Sequence, residues 1–479
     1  MDSIAVLPFE NASGDPDAEY LSDGVAETIL NSLSELERIR VVPRTTAFRY
    51  RGRVLEAAHV GRQLGVRVIL TGRVFERAGA LVVSAELIDT GTESQLWGGR
   101  YNRKIEDIFA VQEEIAKEIA GQLRLRLREE ERRKLTRRPT ENREAYQLFL
   151  KALYHANQWT PDGLRRGIEY AWKAIEADPS YASPYAALAY VYVTLGLLGA
   201  MRPADVLPKA KAAALKALER DEESGIAHVS LALVRMLYEW NWEGARQEFE
   251  RALEISPNSP HAHFAHAVWQ QATGRQAEAI AEMTAVVDQD PLSSLASSNL
   301  AGFYAAAGQE DRAIEQYLKT IELNPSFAGS YGQLALLYAL KGMREAALEK
   351  AERFLEISGR DLRSRSFLAV VYALLGKREE AIACIEELKK GSRFPGLSVL
   401  AFQYAALRDT EQTFACLEKA YEEREVFLVF LPFLPEFRYL RTDPRFMALL
   451  DRMGHPALRN KELWQGRPIW DAAAGGGPD

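Results

Sequence analysis

The sequence predicts a two-part chain in which an α/β domain precedes an all-α solenoid of helical hairpins. Three observations lead to this fold class. Residues 1–135 alternate short β-branched runs with amphipathic stretches in the order β-α-β-α-β-β-β-α. Beyond them, small residues and glycines recur every 34 positions. With 479 residues the chain is also too long for one hydrophobic core, so more than one domain is expected.

The first half of the α/β domain follows a strand and helix alternation. Ile4–Phe9 is a short, apolar, β-branched run that predicts a buried strand. A turn-forming loop at Ser13–Pro16 comes next, and an apolar stripe over 18–37 predicts a helix. A second short strand is expected at Ile39–Pro43 and a second helix at Leu55–Leu64, ended by the following glycine.

Three strands in succession complete the predicted sheet. They are expected at Val66–Arg77, Leu81–Asp89 and Ser94–Tyr101, because each run is bounded by residues that favour hairpin turns. A long helix from Ile105 then runs into the charged stretch Arg124–Arg138, which we interpret as a stiff, solvated connector. One mixed sheet with helices on its faces satisfies this order.

Several short motifs of this domain resemble the TolB-like N-terminal domain. They are Ser3–Asn11, Tyr20–Gly24, Leu64–Val66, Leu96–Trp97 and Arg100–Tyr101. Domains of this type often precede tetratricopeptide repeats in bacterial regulators and sensors, behind a winged helix, a kinase or a nucleotide cyclase. The resemblance therefore implies sensing or assembly in bacteria, and it supplies no catalytic residues.

Residues 136–142 form the expected linker, and a register of 34 residues marks the solenoid that follows over 143–425. Small residues let the backbones of two helices approach closely, and glycine ends the first helix of each pair in a left-handed conformation. The alanine series is Ala245, Ala279, Ala313, Ala347 and Ala381, and the glycine series is Gly274, Gly308, Gly342 and Gly376.

This register resembles that of the tetratricopeptide repeat (TPR). Leu300-Ala301 with Tyr304, then Gly308, Ala313 and Tyr317, matches the spacing of that family. Each unit is a helix–turn–helix that cannot bury its own apolar face and must stack on its neighbours. We expect about eight hairpins in a right-handed solenoid, with the aromatic turn Tyr238–Trp242 either packing between units or forming a contact patch.

The most apolar segment, Val426–Pro435, follows the last repeat. We expect residues 426–465 to cap the solenoid, with a short last helix at Pro444–Met453. A homodimer formed through this segment is the alternative. The glycine-rich tail, residues 466–479, is expected to be disordered.

Composition restricts the partners. The net charge of −7 argues against nucleic-acid binding, which needs a basic surface. No run of about 18 apolar residues exists, so no membrane span is expected. The chain has no signal peptide pattern and is expected in the cytoplasm, with the periplasm as the alternative if a membrane anchor precedes it. Cys384 and Cys416 are interpreted as small core residues.

No residue is expected to be catalytic, to bind a cofactor or to hold a metal. His261, His263 and His266 form the densest group of metal-type ligands, but only the last two have a spacing that places them on one helix face. Asp23 and neighbouring acidic pairs lack an accompanying nucleophile or pocket histidine. The loop Ser13–Pro16 is acidic, which disfavours phosphate there.

The first helix of each hairpin is expected to line an inner groove that binds a partner. This groove lacks the Lys, Arg and Asn pattern that grips a peptide carboxylate, so an apolar helix or extended segment is the expected ligand. Its predicted residues are His261, Phe264, Val268, Gln271, Leu295, Ser298, Gly302, Leu336, Arg363, Ser366 and Val370.

The sequence thus indicates a non-enzymatic scaffold or sensor in bacterial regulation or cell-envelope assembly, which binds a protein or peptide. One alternative is the sensory part of a larger signalling protein with a separate kinase, cyclase or winged-helix module. Another is that the N-terminal domain binds a small ligand, such as a nucleotide or glycan.

Overall fold

A computed structural model describes most of the chain. The predicted connector (residues 124–138), much of the predicted linker and the predicted tail (466–479) lie outside the described residues. The described residues are 3–34, 36, 39–53, 56–77, 79–104, 108–123, 139–391 and 396–459.

The N-terminal domain contains the predicted mixed sheet. Its strand order is β3-β1-β4-β5-β6, with β1 parallel to both β3 and β4, and with β4, β5 and β6 antiparallel. A two-residue strand that the sequence did not predict, β2, pairs in parallel with β4. The strands are β1 (Ser3–Val6), β2 (Glu10–Asn11), β3 (Arg40–Val41), β4 (Val68–Arg77), β5 (Ala80–Asp89) and β6 (Gln95–Lys104).

Helices cover both faces of this sheet. Two long helices pack on one face, where Ile4, Val6, Val68 and Leu70 are buried, and the shorter helices pack on the other. Alternation of side chains along β1 explains this, since Ala5 belongs to the second face. The helices are α1 (Glu19–Ser34), α2 (Arg44–Ala47), α3 (Ala57–Leu64) and α4 (Ile108–Gln122).

From residue 143 the described chain forms eight helical hairpins, so the predicted TPR-type units are confirmed. They pair α5 (Arg143–Ala156) with α6 (Pro161–Ala177), α7 (Ala182–Leu197) with α8 (Pro203–Arg220), α9 (Gly225–Leu237) with α10 (Trp242–Ile255), α11 (Pro260–Ala272) with α12 (Gln276–Gln289), α13 (Ser294–Ala306) with α14 (Glu310–Leu323), α15 (Ala328–Leu340) with α16 (Arg344–Ser358), α17 (Leu362–Leu374) with α18 (Arg378–Gly391), and α19 (Leu397–Ala406) with α20 (Thr410–Glu422).

The 34-residue register has the predicted physical basis. The five alanines of the second-helix series are fully buried, because each lies where two helices approach most closely. The turn glycines Gly274, Gly308, Gly342 and Gly376 all have positive φ, between 72° and 89°. A left-handed residue is therefore required where each first helix ends, and glycine adopts it without steric cost.

After α20 the chain turns back across the solenoid. Two 3₁₀ segments, Val426–Phe433 and Pro435–Leu440, precede α21 (Pro444–Arg452). The first 3₁₀ segment packs against α20, as a cap would, and also against α9 and α11 of the third and fourth hairpins. We call residues 423–459, which follow α20, the C-terminal segment. Because it reaches hairpins far away in the sequence, it closes the superhelix onto itself.

The N-terminal domain also packs onto the solenoid, at two places. α1 contacts α5 of the first hairpin, where Tyr146 and Leu150 join the core of the sheet's first face. Leu292, in the turn between α12 and α13, packs on the opposite face of the sheet. The domain is thus held between the first hairpin and the exit of the fourth.

Candidate partner-binding surface

The first helices of successive hairpins lie side by side and form the inner layer of the solenoid. Contacts join α7 to α9 and α9 to α11, and further along the chain α15 to α17 and α17 to α19. Short turns and close alanine contacts hold the second helix of each hairpin against one side of the first helix. The opposite side of each first helix therefore faces away from the second helix. The predicted groove residues all lie on these first helices, and their role in binding stays a prediction.

Part of this inner layer is accessible. Leu295 at the start of α13 is 52% exposed, and Ser298 and Gly302 on the same helix are partly exposed. On the neighbouring α11, Phe264 is partly exposed and packs edge-on against Phe303, with ring centroids 6.5 Å apart. Apolar and small side chains thus meet here without a charged clamp.

Three further predicted groove residues are buried between hairpins, and their inclusion in an open groove is corrected. Leu336 and Val370 belong to an apolar cluster shared by the sixth and seventh hairpins and α19. Ser366 accepts a hydrogen bond from Gln403 Nε2 on α19, at 2.7 Å. Tight stacking of consecutive first helices covers these positions, which the repeat register alone does not reveal. The side chain of Arg363 lies outside the described part of the chain.

Part of the inner surface of α9 and α11 is covered by the C-terminal segment. Val268 packs against an apolar cluster that includes Val426, Leu428 and Val429. His261 has its Nε2 atom buried without a hydrogen-bond partner, and its ring lies edge-on to Tyr190 at 5.0 Å. Sequence reasoning expected this segment to cap the solenoid end, and it missed the contact with the third and fourth hairpins.

Two histidines share one carboxylate on the fourth hairpin. His263 Nδ1 lies 2.8 Å from Glu282 Oε1, and His266 Nδ1 lies 2.9 Å from Glu282 Oε2. Burial raises the pKa of Glu282, but the hydrogen bonds and charge of the two histidines outweigh it and lower the pKa to about 2. His263 Nε2 also faces the carbonyl oxygen of Pro257 at 2.8 Å. With acceptors at both nitrogens, His263 is bound best as an imidazolium, and its pKa is accordingly raised.

A buried charged cluster joins α1 to the first hairpin. Arg51 contacts Asp23 Oδ2 at 2.6 Å, and Arg44 Nε donates to Glu27 Oε2 at 3.0 Å. Asn157 Nδ2 also donates to Glu27, at 3.2 Å, across the domain boundary. Burial raises the pKa of both carboxyl groups in spite of the arginines. Each of the two carboxylates is thus paired with an arginine, and that of Glu27 also with an amide, as expected of a buried contact between two domains.

Comparison with known families gives one match, to the N-terminal domain. Residues 1–118 match the model described as the second domain of HilA/YgeH-like transcriptional regulators. The resemblance to a TolB-like domain is not confirmed by this comparison.

Two kinds of curated bacterial protein are similar in sequence. A protein of Rhizobium meliloti (strain 1021) named "Putative adenylate cyclase 3" is 34% identical over 233 residues, which are 48% of this chain and 40% of that protein. The transcriptional regulator HilA of Salmonella typhimurium is 25% identical over 149 residues, or 31% of this chain and 27% of HilA. The chain thus matches less than half the length of either relative.

Among solved structures, a thermophilic TPR protein of Thermus thermophilus is 24% identical in sequence. The alignment covers 39% of this chain and all of that chain, with a TM-score of 0.34.

The comparison also corrects one expectation. The sequence interpretation excluded an enzyme, and this is wrong as an exclusion, because the similar Rhizobium meliloti protein carries the name of a cyclase. The interpretation looked for familiar catalytic motifs, and such motifs reveal only those activities that have a short local sequence signature.

In the described residues, no helix has both the length and the apolar character needed to cross a bilayer.

Proposed function

We propose that this chain is an interaction scaffold in bacterial regulation, and that it binds an apolar helix or extended segment on the inner layer of the solenoid. The supporting observation is a set of apolar and small residues on α11 and α13, in which Leu295 is exposed and Phe264, Ser298 and Gly302 are partly exposed. A leucine as exposed as Leu295 is common on any protein surface. Its position on α13, in the layer of first helices that also carries the partly exposed Phe264, is what favours a docking role.

The chemistry of the surface selects the ligand. Small residues on α13 let a backbone approach, and apolar contacts contribute without a fixed hydrogen-bond pattern. Gln271, partly exposed at the end of α11, is the polar member of this set. We therefore propose an amphipathic helix or an extended apolar segment as ligand, bound by its apolar face.

Site-specific photo-crosslinking in the bacterial cell tests this proposal. A photoreactive residue at Leu295 on the inner helix α13 is expected to trap a protein partner. The same residue at Leu318, 38% exposed on the outer helix α14 of that hairpin, serves as the control. Leu295→Glu should abolish capture by a second probe at Ser298, whereas Leu318→Glu should not. Equal capture at the inner and outer positions would contradict a specific inner surface.

We also propose that the protein raises the cellular level of cyclic AMP, on the strength of its similarity to the protein named as an adenylate cyclase. Expression in a bacterium that lacks its own adenylate cyclase tests this directly. A rise in cellular cyclic AMP, compared with cells expressing only residues 139–459, is the expected result. An unchanged level in both strains would remove this second proposal and leave the first intact.

A further inference from the structure

Three hairpin turns of the described solenoid, those of the first, third and eighth hairpins, have a left-handed residue other than glycine. Trp240, between α9 and α10, lies 34 residues before Gly274, and its φ is 53° where Gly274 has 89°. A left-handed backbone is unfavourable for a tryptophan, since its Cβ approaches the following carbonyl oxygen. The side chain must therefore make contacts that offset this conformational cost.

Those contacts come from the end of α20 and from the C-terminal segment that follows it. The Trp240 ring stacks on Tyr421, with centroids 4.9 Å apart and planes inclined by 25°. The guanidinium of Arg424 also lies over the Trp240 ring, 4.4 Å from its centroid. Arg424 Nη1 also donates a hydrogen bond to the carbonyl oxygen of Tyr238, at 2.8 Å.

Arg424 is itself in a left-handed conformation, with a φ of 52°. Both members of the Trp240–Arg424 pair thus adopt a backbone in which glycine would be favoured. The stacking and cation–π contacts offset this conformational cost and fix the position of the turn.

A second set of contacts lies beside the first. Trp242 Nε1 donates to the carbonyl oxygen of Met453 at 3.1 Å, and the Trp242 ring lies 4.8 Å from that of His455. His455 Nε2 faces the carbonyl oxygen of Val429 at 3.0 Å, and its Nδ1 accepts from Ala457 N at 3.1 Å. His455 therefore fixes the fold of the C-terminal segment, and Trp242 attaches to that folded unit.

The C-terminal segment also has a firm attachment of its own to the last hairpin. Pro435–Leu440 packs on α19, and α21 packs on α20. Arg408, another left-handed non-glycine residue, places its guanidinium over the Tyr439 ring at 4.3 Å. The segment is thus anchored to the eighth hairpin independently of its contact with the third.

We propose that the contact between the turn Tyr238–Trp242 and the C-terminal segment is a releasable clasp, whose opening uncovers the inner surface of α9 and α11 while the hairpins stay folded. The clasp closes the superhelix, and the segment remains on the eighth hairpin when it opens. That the uncovered surface then receives a partner rests on the function proposed above. The opening of the clasp does not depend on that proposed function, and the experiment that tests it needs no partner.

Hydrogen exchange followed by mass spectrometry on the full chain tests the clasp. Trp240→Gly and Arg424→Gly each supply the residue that the left-handed backbone favours, so the turns remain intact while the stack is removed. We expect amides of Val426–Phe433 and of α9 to exchange at least tenfold faster in either variant. Exchange in α13 to α16 should stay as in the unaltered chain.

Trp159→Gly is the matched control. Trp159 also has a left-handed backbone, with a φ of 53°, at the turn of the first hairpin, and its ring lies against Tyr190. This variant should leave exchange in the C-terminal segment unchanged. Unaltered exchange of Val426–Phe433 in both the Trp240 and the Arg424 variants would overturn the proposal. Faster exchange spread evenly over all hairpins would overturn it as well, since it would show a general loss of stability. Failure of the crosslinking experiment would not affect either outcome.

Discussion

At the scale of single residues, Glu282 connects the two histidines that the sequence singled out as ligand-type residues. The pattern of His263 and His266 on one helix face is that of a metal pair, and the tertiary structure directs both toward a carboxylate on the second helix of the same hairpin. Their role in the fold is thus to satisfy a half-buried charge. The hydrogen bond to Pro257 extends this contact to the turn that precedes the hairpin.

Glu282→Gln is expected to lower the free energy of unfolding by about 1–3 kcal/mol at neutral pH, because hydrogen bonds to a charged group are lost. The pKa of Glu282 is lowered to about 2 in the folded chain, from an ordinary 4.5. Its stabilisation is therefore present above the ordinary pKa and is lost as the pH falls toward 2. The raised pKa of His263 adds stabilisation that is complete below its ordinary pKa and is lost as the pH rises through the raised value.

Urea unfolding at several pH values measures both effects. The difference in the free energy of unfolding between the unaltered chain and the Glu282→Gln variant should become smaller as the pH falls below 4.5. Exchange of Glu278, exposed on the same helix, for Gln is the control and should change stability little. If the difference in the free energy of unfolding stayed constant from pH 3 to pH 7, this would contradict the lowered pKa of Glu282.

At the scale of secondary-structure elements, the repeat contains two kinds of glycine. The backbone requires glycine in the turn of a hairpin, whereas within a helix other residues can replace it. Gly308 has a φ of 75° with open space around its Cα, so the backbone alone requires glycine. Gly302, in the interior of α13, has helical geometry, and an added Cβ would meet Tyr317 at an ordinary contact distance of 3.5 Å. The same residue type thus has two different roles within one hairpin.

Alanine at these two positions should have opposite effects. Gly308→Ala is expected to destabilise the chain by about 1–2 kcal/mol, because alanine adopts the left-handed conformation at a steric cost. Gly302→Ala is expected to stabilise it by roughly 0.5–1 kcal/mol, because alanine loses less conformational entropy in a helix. Thermal unfolding of the two variants beside the unaltered chain measures the difference. Equal shifts of the midpoint in the same direction would contradict this account of the register.

At the scale of the whole molecule, two long-range contacts turn an open array of repeats into a closed structure. One is the clasp between the third hairpin and the C-terminal segment. The other holds the N-terminal domain on the exit of the fourth hairpin. There Thr46 Oγ1 donates to Asp290 Oδ2 at 2.5 Å, Arg40 Nη1 donates to the carbonyl oxygen of Gln289 at 2.5 Å, and Arg49 Nη1 donates to that of Leu292 at 3.0 Å.

Removal of the Thr46–Asp290 contact should weaken the attachment of the N-terminal domain. Burial raises the pKa of Asp290 although Thr46 and the arginines oppose it, so loss of the hydroxyl donor leaves a poorly satisfied buried carboxyl group. Thr46→Val is expected to lower the free energy of unfolding by about 1–3 kcal/mol. Asp290→Ala introduced into the Thr46→Val chain should lower it by less than Asp290→Ala does in the unaltered chain. Denaturant unfolding of the single and double variants gives the coupling energy. Strict additivity would contradict a direct interaction.

The sequence by itself determined the local structure and the order of the elements. Alternating patterns predicted the mixed sheet, and the register of Gly274, Gly308, Gly342 and Gly376 predicted the turn of each hairpin, because these features depend on backbone sterics and nearest-neighbour packing. The binding groove at Phe264 and Leu295 stays a prediction from the register.

Only the tertiary structure decided which inner positions stay open. Leu336, Ser366 and Val370 occupy the same register as accessible residues, and they are buried because the next first helix along the solenoid packs against them. The contact of Trp240 with Arg424 joins residues 184 positions apart in the sequence. No local pattern encodes such a contact, since it depends on the sum of small rotations between successive hairpins. The register specifies each unit, and the accumulated curvature of the units decides where the chain meets itself.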